Sequence, residues 1–267
     1  MDIKRVTSAL LGFPLVVFVL LIGNKYVVDI ALSIVAMIGM SEYLNAISKE
    51  AKPIKWISYL SCLSICFIHL IPIEYLAIVI TLVIPTLLLI LFLQVIATNM
   101  KTNFKDITYT FIGIFYVVFF MMFIAFINGM QDGKILIWYT LFAAWGTDIF
   151  AFLIGIAFGK HKFSEVSPKK SIEGCIGGII GAMGMMLIYT YILNTYLGMG
   201  YSYIYIIAIS VVLSIIGQIG DFAASSIKRY VDIKDYSNLI PGHGGILDRI
   251  DSLLFLAPFA YVFFTMM

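Results

Sequence analysis

The sequence predicts an all-α integral membrane protein of about nine transmembrane helices, with a cytoplasmic amino terminus and the carboxyl terminus outside. Three observations predict it: an apolar composition, apolar runs of membrane length, and a one-sided distribution of Lys and Arg. Hydrophobic residues make up 62% of the 267-residue chain and charged residues only 12%, against roughly 25% charged in soluble domains. Mean hydropathy is +1.04. A soluble core of this length could not hide so much apolar surface, so lipid must solvate most of it. The net charge of +2 is too small to point to a nucleic-acid partner.

The apolar runs lie at about 6–22, 26–45, 54–71, 73–97, 106–128, 134–158, 175–194, 202–222 and 250–267. Each approaches or exceeds the ~17–25 residues that a helix needs to cross the hydrocarbon core. The first follows Lys4 and Arg5, as in a signal peptide, but no small-residue cleavage site comes after it, so it is expected to remain as the first span. The stretch HLIPIEYL divides the third run from the fourth, and Pro85 predicts a kink within the fourth.

The basic residues support this count. With the amino terminus inside, the cytoplasmic segments hold Lys4, Arg5, Lys49, Lys52, Lys55, Lys101, Lys105, Lys160, Lys162, Lys169, Lys170, Lys228, Arg229, Lys234 and Arg249. Only Lys25 and Lys134 fall outside. That asymmetry is what the positive-inside rule requires, and losing any one span would scramble it. The two long connections, about 159–174 and 223–249, both fall on the cytoplasmic side and are polar, with Gly and Pro. Loops of that length in a compact membrane protein are usually functional. The cysteines at 62, 66 and 175 are odd in number and lie in or beside apolar runs, which predicts buried small hydrophobes and no disulfide framework.

Acidic residues at or within the spans are Asp29, Glu42, Asp148, Asp221 and Asp251. A charge in the bilayer core costs at least ~2.5–3.5 kcal/mol on insertion scales, so each needs a partner or a polar cavity. Asp29 and Glu42, near the ends of the second run, are expected to reach headgroups or nearby lysines. Asp148 sits ten residues from the cytoplasmic end of its helix, roughly 15 Å deep, and is expected to line a cavity. Asp221 closes the eighth run, with Lys228 and Arg229 about two turns further on. Asp248 and Asp251 share a face where the last helix begins. Oxygen ligands at two helix ends suit a hard cation such as Mg²⁺. Neutralisation by Arg249 and Lys228 fits the same spacing, and spacing alone does not choose.

The loop GKHKFSEVSPKKSIEGCIGG carries four lysines, two serines before its last Lys pair, and a Gly-rich exit into a helix. It reads as an anion cradle or as a basic loop touching anionic headgroups, and a lipid phosphate satisfies both. His161 and His243 have no ligand-like spacing, and His69 reads as a core or interfacial histidine.

The stretch SSIKRYVDIKDYSNLIPGHGGILDRID, residues 225–251, resembles the signature of the phosphatidate cytidylyltransferase family, the CDP-diacylglycerol synthases. Ser225, Lys228, Arg229, Lys234, Asp235, Ser237, His243, Gly244, Gly245, Asp248, Arg249 and Asp251 occupy the places of that pattern. The middle loop is similar to a second block of the family, Ser-Pro-Lys-Lys-Thr-x-Glu-Gly, with Ser167, Lys169, Lys170 and Glu173 matched and Ser171 where Thr is usual. The resemblance covers the carboxyl-terminal half. It divides the chain into N-terminal transmembrane helices, 1–133, and a catalytic region, 134–267.

The resemblance implies a multi-pass enzyme of the plasma or inner membrane that joins CTP to phosphatidic acid, giving CDP-diacylglycerol and pyrophosphate. It also implies a homodimer that needs Mg²⁺, alone or with a second cation, held by Asp221 and Asp248. Two anions must then meet while charge builds on a leaving group, so positioning and electrostatic stabilisation do most of the work. Lys228, Arg229, His243 and Asp251 are the remaining catalytic candidates. Asp148, Ser167, Lys169, Lys170, Glu173, Ser225, Lys234, Gly244, Gly245 and Arg249 are the substrate-binding candidates. Glycines at 242, 244 and 245 would let backbone approach phosphate. An ion-coupled transporter, with Asp148 and Asp221 along a path, is the competing class. The polar residues gather on one membrane side instead of tracing a route across. The Asp-Gly-x-x-Ala-Arg pattern of the CDP-alcohol phosphotransferases is absent.

Overall fold

With no water in the hydrocarbon core, a spanning chain must satisfy its backbone within itself, and an apolar run does so as a helix. The computed structural model describes residues 3–164, 167 and 170–267, and the side chains of all these except 3–9, 11, 73 and 76. Every one of the apolar runs is helical. In chain order the elements are α1 (Ile3–Ile22), α2 (Lys25–Ile47), α3 (Lys55–Leu63) continued by a 3₁₀ segment (Ser64–Leu70), α4 (Ile73–Ala97), α5 (Phe104–Gly113), a π segment (Ile114–Phe119), α6 (Phe120–Gly129), α7 (Gly133–Phe158), α8 (Ile172–Leu197), α9 (Tyr203–Tyr230) and α10 (Leu247–Thr265). Among the described residues no strand forms beyond the isolated bridges Lys162–Ser171 and Ile240–Gly244. The protein is an all-α integral membrane protein. Among the described residues six stretches are long and apolar enough to cross a bilayer: Lys25–Ile47, Ala77–Ala97, Phe104–Gly129, Gly133–Phe158, Ile172–Leu197 and Tyr203–Tyr230.

Polar side chains start several helices where the sequence changes character. Asn24 accepts from the Val27 amide at 3.0 Å to begin α2. Asn103 and Asp106 form a capping box for α5. Ser171 accepts from the Gly174 amide at 3.1 Å to begin α8. Each oxygen satisfies an amide that the first turn leaves without a helical partner.

Three features of the elements stand out. The third run changes from α to 3₁₀ at Ser64, where Ser33 donates to the Cys62 carbonyl at 2.9 Å and Ser64 donates back to the Ser61 carbonyl at 2.6 Å. Side-chain bonds to helix carbonyls compete with the i→i−4 ladder there. Helix α4 runs through Pro85 without interruption. Helix α9 continues to Tyr230, so Ser225, Lys228 and Arg229 are helical and the connection before α10 begins only at Val231. The two cations favour that extension, because they stand in the last turn at the negative end of the helix dipole.

The chain divides into two units. One comprises Met1–Gly129 with Asp235–Arg249, the other Met130–Lys234 with Ile250–Met267.

In the first unit α2 buries Val28, Ala36, Met40, Leu44 and Ile47. Its acids do not reach headgroups, contrary to the expectation from their positions near the helix ends. Asp29 is fully buried and meets His69 Nδ1 at 2.6 Å. Glu42 is only 5% exposed. Both project inward because a polar partner waits there. Asp106 and Thr110 accept from the amides of Lys52 and Ile54, at 2.7 and 2.8 Å, tying down the connection between α2 and α3.

In the second unit α7 and α8 approach closely along glycines. A Cβ on Gly174 would lie 2.7 Å from the Ala151 carbonyl, one on Gly178 would lie 2.8 Å from the Thr147 carbonyl, and one on Gly181 would run into Phe150. Small residues at such spacings of four and three along one helix face are the usual device for bringing membrane helices together. The Gly-rich exit after residue 171 is therefore a packing face, which corrects its reading as part of an anion cradle. Thr147 donates to Ser214 at 2.7 Å and Gln218 to the Cys175 carbonyl at 3.2 Å, linking α9 to the same pair. The cysteines are free thiols, Cys62 buried and Cys66 and Cys175 half-buried.

Candidate active site

The signature segment of the first unit is built around two carboxylates. Ile240 and Gly244 exchange backbone hydrogen bonds of 2.9 and 3.1 Å, closing the turn Pro241-Gly242-His243. Gly242 and Gly244 have φ of +79° and +86°, a conformation costly for any residue with a Cβ. Asp248 then accepts from the amides of Gly245 at 3.0 Å and Tyr236 at 2.9 Å. Glu42 takes the other side. Its Oε1 accepts from Ser237 Oγ at 2.6 Å and the Ile246 amide at 3.0 Å, and its Oε2 accepts from the Leu247 amide at 2.8 Å.

Gly245 has no room for a side chain because a Cβ would sit 2.6 Å from the Glu42 carboxylate. The missing side chain at 245 therefore accommodates Glu42. His243 is half-buried, while Lys234, Asp235 and Arg249 are exposed.

The second unit gathers the charges. Asp221, Ser225 and Lys228 follow one face of α9 at spacings of four and three. Lys170 pairs with Asp221. The same ammonium lies 4.5 Å from the centroid of the Phe222 ring, which stacks on Phe163 at 4.7 Å. The predicted phosphate clamp and the predicted metal ligand are thus brought together as an ion pair, and a carboxylate is what draws the lysine inward. Asp251 is buried, accepts from the Ser252 amide at 2.8 Å, and feels the charges of Asp221, Lys228 and Asp148. Ser252 donates to Asp148 at 3.4 Å. Asp148 itself is exposed. Among the described residues no three His, Cys, Asp or Glu side chains are grouped closely enough to hold an ion by themselves.

Beside this cluster Phe163, Cys175, Ile215, Gln218, Phe222 and Ser226 are among the residues lining a cavity of about 430 Å³. The connection before α8 is fixed by Glu173, which accepts from the Lys160 and His161 amides at 3.1 and 3.3 Å and meets His161 Nδ1 at 2.6 Å. Expected to bind substrate, Glu173 here fastens its own loop. Ser167 accepts from the Lys170 amide at 3.0 Å. Lys169 lies outside the described residues. Arg229 is exposed and donates to the Ile233 carbonyl at 3.4 Å.

The model of the cytidylyltransferase family matches residues 3–267. The chain belongs to the cytidylyltransferase family. Proteins named phosphatidate cytidylyltransferase are similar to it. That of Bacillus subtilis is 39% identical over 176 residues, that of Staphylococcus haemolyticus 34% over 171, and that of Thermotoga maritima 36% over 164. These stretches take in 65%, 63% and 60% of the chain. The chain spans 64%, 63% and 60% of the lengths of these relatives.

For this cytidylyltransferase-family chain, the residue that sequence reasoning missed is Glu42. It lies about two hundred positions before the amides it binds and in a run that reads as a generic span. The available signal was its cost: an acid in an apolar helix needs partners, and the nearest polar stretch with amides to spare was the glycine-rich turn.

Proposed function

We propose that the protein is a phosphatidate cytidylyltransferase, converting CTP and phosphatidic acid to CDP-diacylglycerol and pyrophosphate at the cytoplasmic face of the plasma or inner membrane. The observation that carries this reading is the charged cluster of Lys170, Lys228, Asp148, Asp221 and Asp251 in a chain whose signature matches this family. Family membership supports the enzyme over an ion-coupled transporter.

A phosphate oxygen of phosphatidate attacks the α-phosphorus of CTP, a new P–O–P bond forms, and the bond to the β-phosphate breaks as pyrophosphate leaves. Lys170, Lys228 and Arg229 offset the charge of the incoming phosphate and of the departing pyrophosphate, and guanidinium adds a planar fork suited to phosphate. Lys169 belongs with them by its place in the motif. The glycine turn at 242–245 holds His243 and Asp248 on a backbone that only glycine adopts easily.

Asp221 and Asp248 are proposed as Mg²⁺ carboxylates on the strength of the signature. The donor set fits a hard cation, since every candidate is a carboxylate oxygen, and Mg²⁺ normally keeps water and substrate phosphates in its shell alongside one or two carboxylates. When bound, Mg²⁺ would neutralise phosphate charge and help the leaving group depart. We further propose nine spans with the amino terminus inside, and a homodimer.

The test is to incubate purified protein in detergent with radiolabelled CTP, phosphatidate and Mg²⁺. A labelled, lipid-extractable liponucleotide with stoichiometric pyrophosphate is expected. Folded protein that yields neither overturns the assignment.

A further inference from the structure

Glu42 stands apart from every residue of the signature and from the charged cluster, yet it makes more hydrogen bonds to the signature segment than any residue outside that segment does among the bonds described above. We propose that Glu42 is a positioning residue of the active centre, one that fixes the backbone of residues 237–247 and through it the placement of His243 and Asp248. This rests on the proposed cytidylyltransferase activity.

The geometry is specific to a carboxylate. Three donors converge on two oxygens: the Ser237 hydroxyl and the Ile246 amide on Oε1, the Leu247 amide on Oε2. An ionised carboxylate only accepts, so it satisfies all three at once. Ile246 and Leu247 supply amides at the start of α10, where the helix dipole favours a negative charge. The site is buried, with Glu42 5% exposed, so these charge-assisted bonds are shielded from water and from salt. Gly245 clears the space the carboxylate occupies. Asp248 grips the same stretch through the Gly245 amide. The turn is therefore clamped by one acid from α2 and one from α10, and releasing Glu42 leaves Asp248 holding a backbone that is free to shift at 246 and 247.

Glutamine would retain the size of the side chain but turn one acceptor into a donor facing an N–H or O–H group. Aspartate keeps the charge on a shorter stem. The experiment compares Glu42→Gln, Glu42→Asp and Ser237→Ala with wild type, in detergent-purified protein. It measures kcat, KM for CTP and for phosphatidate, melting temperature, and amide exchange in a peptide covering 239–251.

For Glu42→Gln we expect kcat to fall about 10- to 100-fold, the scale of charge-assisted hydrogen bonds. Both KM values should stay within about threefold, because a residue that acts through the backbone of the turn removes no direct contact to either substrate. Exchange at 246 and 247 should accelerate while the rest of the protein keeps its protection. Glu42→Asp should recover a substantial part of kcat, which a variant that merely lowered the folded fraction would not do through charge. Wild-type kcat in folded Glu42→Gln overturns the proposal, as does a loss of kcat that only tracks loss of folded protein with no local change in exchange. Should Glu42→Gln fail to fold, Ser237→Ala decides: faster exchange with a kcat about threefold lower at an unchanged melting temperature supports the role, and wild-type values in both overturn it. If wild type itself makes no liponucleotide, the assigned activity fails, and the exchange data alone still decide whether Glu42 holds the turn.

Discussion

Two connections carry the polar chemistry of this chain, and they are stabilised by opposite means. In the segment 235–249 the carboxylates of Glu42 and Asp248 are buried and bind five donors between them, four of them backbone amides. Beside the segment 159–171 the half-buried carboxylate of Glu173 binds two amides and an imidazole. The first segment turns its polar groups inward onto these acids and leaves Asp235 and Arg249 in solvent. The second directs Lys170 inward to Asp221. A buried carboxylate that loses its charge leaves unsatisfied amides with no water to replace it, whereas an exposed one is readily replaced by water. The difference predicts which substitutions will be severe.

The largest effect should come from Asp248→Asn and Asp221→Asn. Each keeps side-chain size and removes a charge, at the clamp of the first segment in one case and at the partner of Lys170 in the other. Turnover should drop below detection with the protein still folded, and any residual activity should need far more Mg²⁺. A Mg²⁺ titration of each variant beside wild type checks this. Normal turnover of both at the wild-type Mg²⁺ optimum would reduce these acids to structural charges.

Next in size is Lys170→Met, which retains much of the apolar stem against Phe222 but removes the ammonium that meets Asp221. Catalytic efficiency toward CTP should fall about 10- to 100-fold, with Lys170→Arg falling less. Equal efficiency in Lys170→Met and wild type would mean that the ion pair only neutralises Asp221, and the second segment would lose its claim to substrate. Arg229→Lys should cost less, about 3- to 10-fold, since Arg229 is exposed and its one bond described above is a long one to Ile233. Steady-state kinetics with varied CTP separate the two.

The helices were legible in the sequence because lipid leaves an apolar run little choice but to be helical. All the runs are helical, and apart from the extension of α9 the polar connections fall where the runs end. What escaped reading was local and long-range. The 3₁₀ turn at Ser64 depends on Ser33, thirty-one positions earlier, finding the Cys62 carbonyl. The continuation of α9 through Lys228 and Arg229 looked like a loop because the residues are polar, although cations at a helix end favour the helix. Site residues close in sequence were identifiable from their pattern, but their partners were not. Lys170 meeting Asp221 and Glu42 meeting Ser237 are pairings across about fifty and two hundred positions, and only packing reveals them. The glycines show the same limit from another side. A run of them after Ser171 fits an anion cradle and a helix interface equally well until the opposite helix is in place.

The smallest expected effect sharpens the comparison most directly. Glu173 and Glu42 do the same thing by the same chemistry, a carboxylate accepting from the backbone amides of a connection, and differ chiefly in burial. Glu173→Gln should therefore lower kcat only about two- to threefold, because water reaches the amides of Lys160 and His161 once the charge is gone. Its effect should also weaken in high salt, since exposed charges are screened over roughly 10 Å at 0.1 M, whereas the effect of Glu42→Gln should not. Parallel kinetics of the two variants across a salt series measure this. A loss for Glu173→Gln as deep as that of Glu42→Gln, and equally indifferent to salt, would show that the more accessible carboxylate touches substrate after all. The contrast between a buried scaffold and an open loop would then give way to two segments that both reach the reacting phosphates.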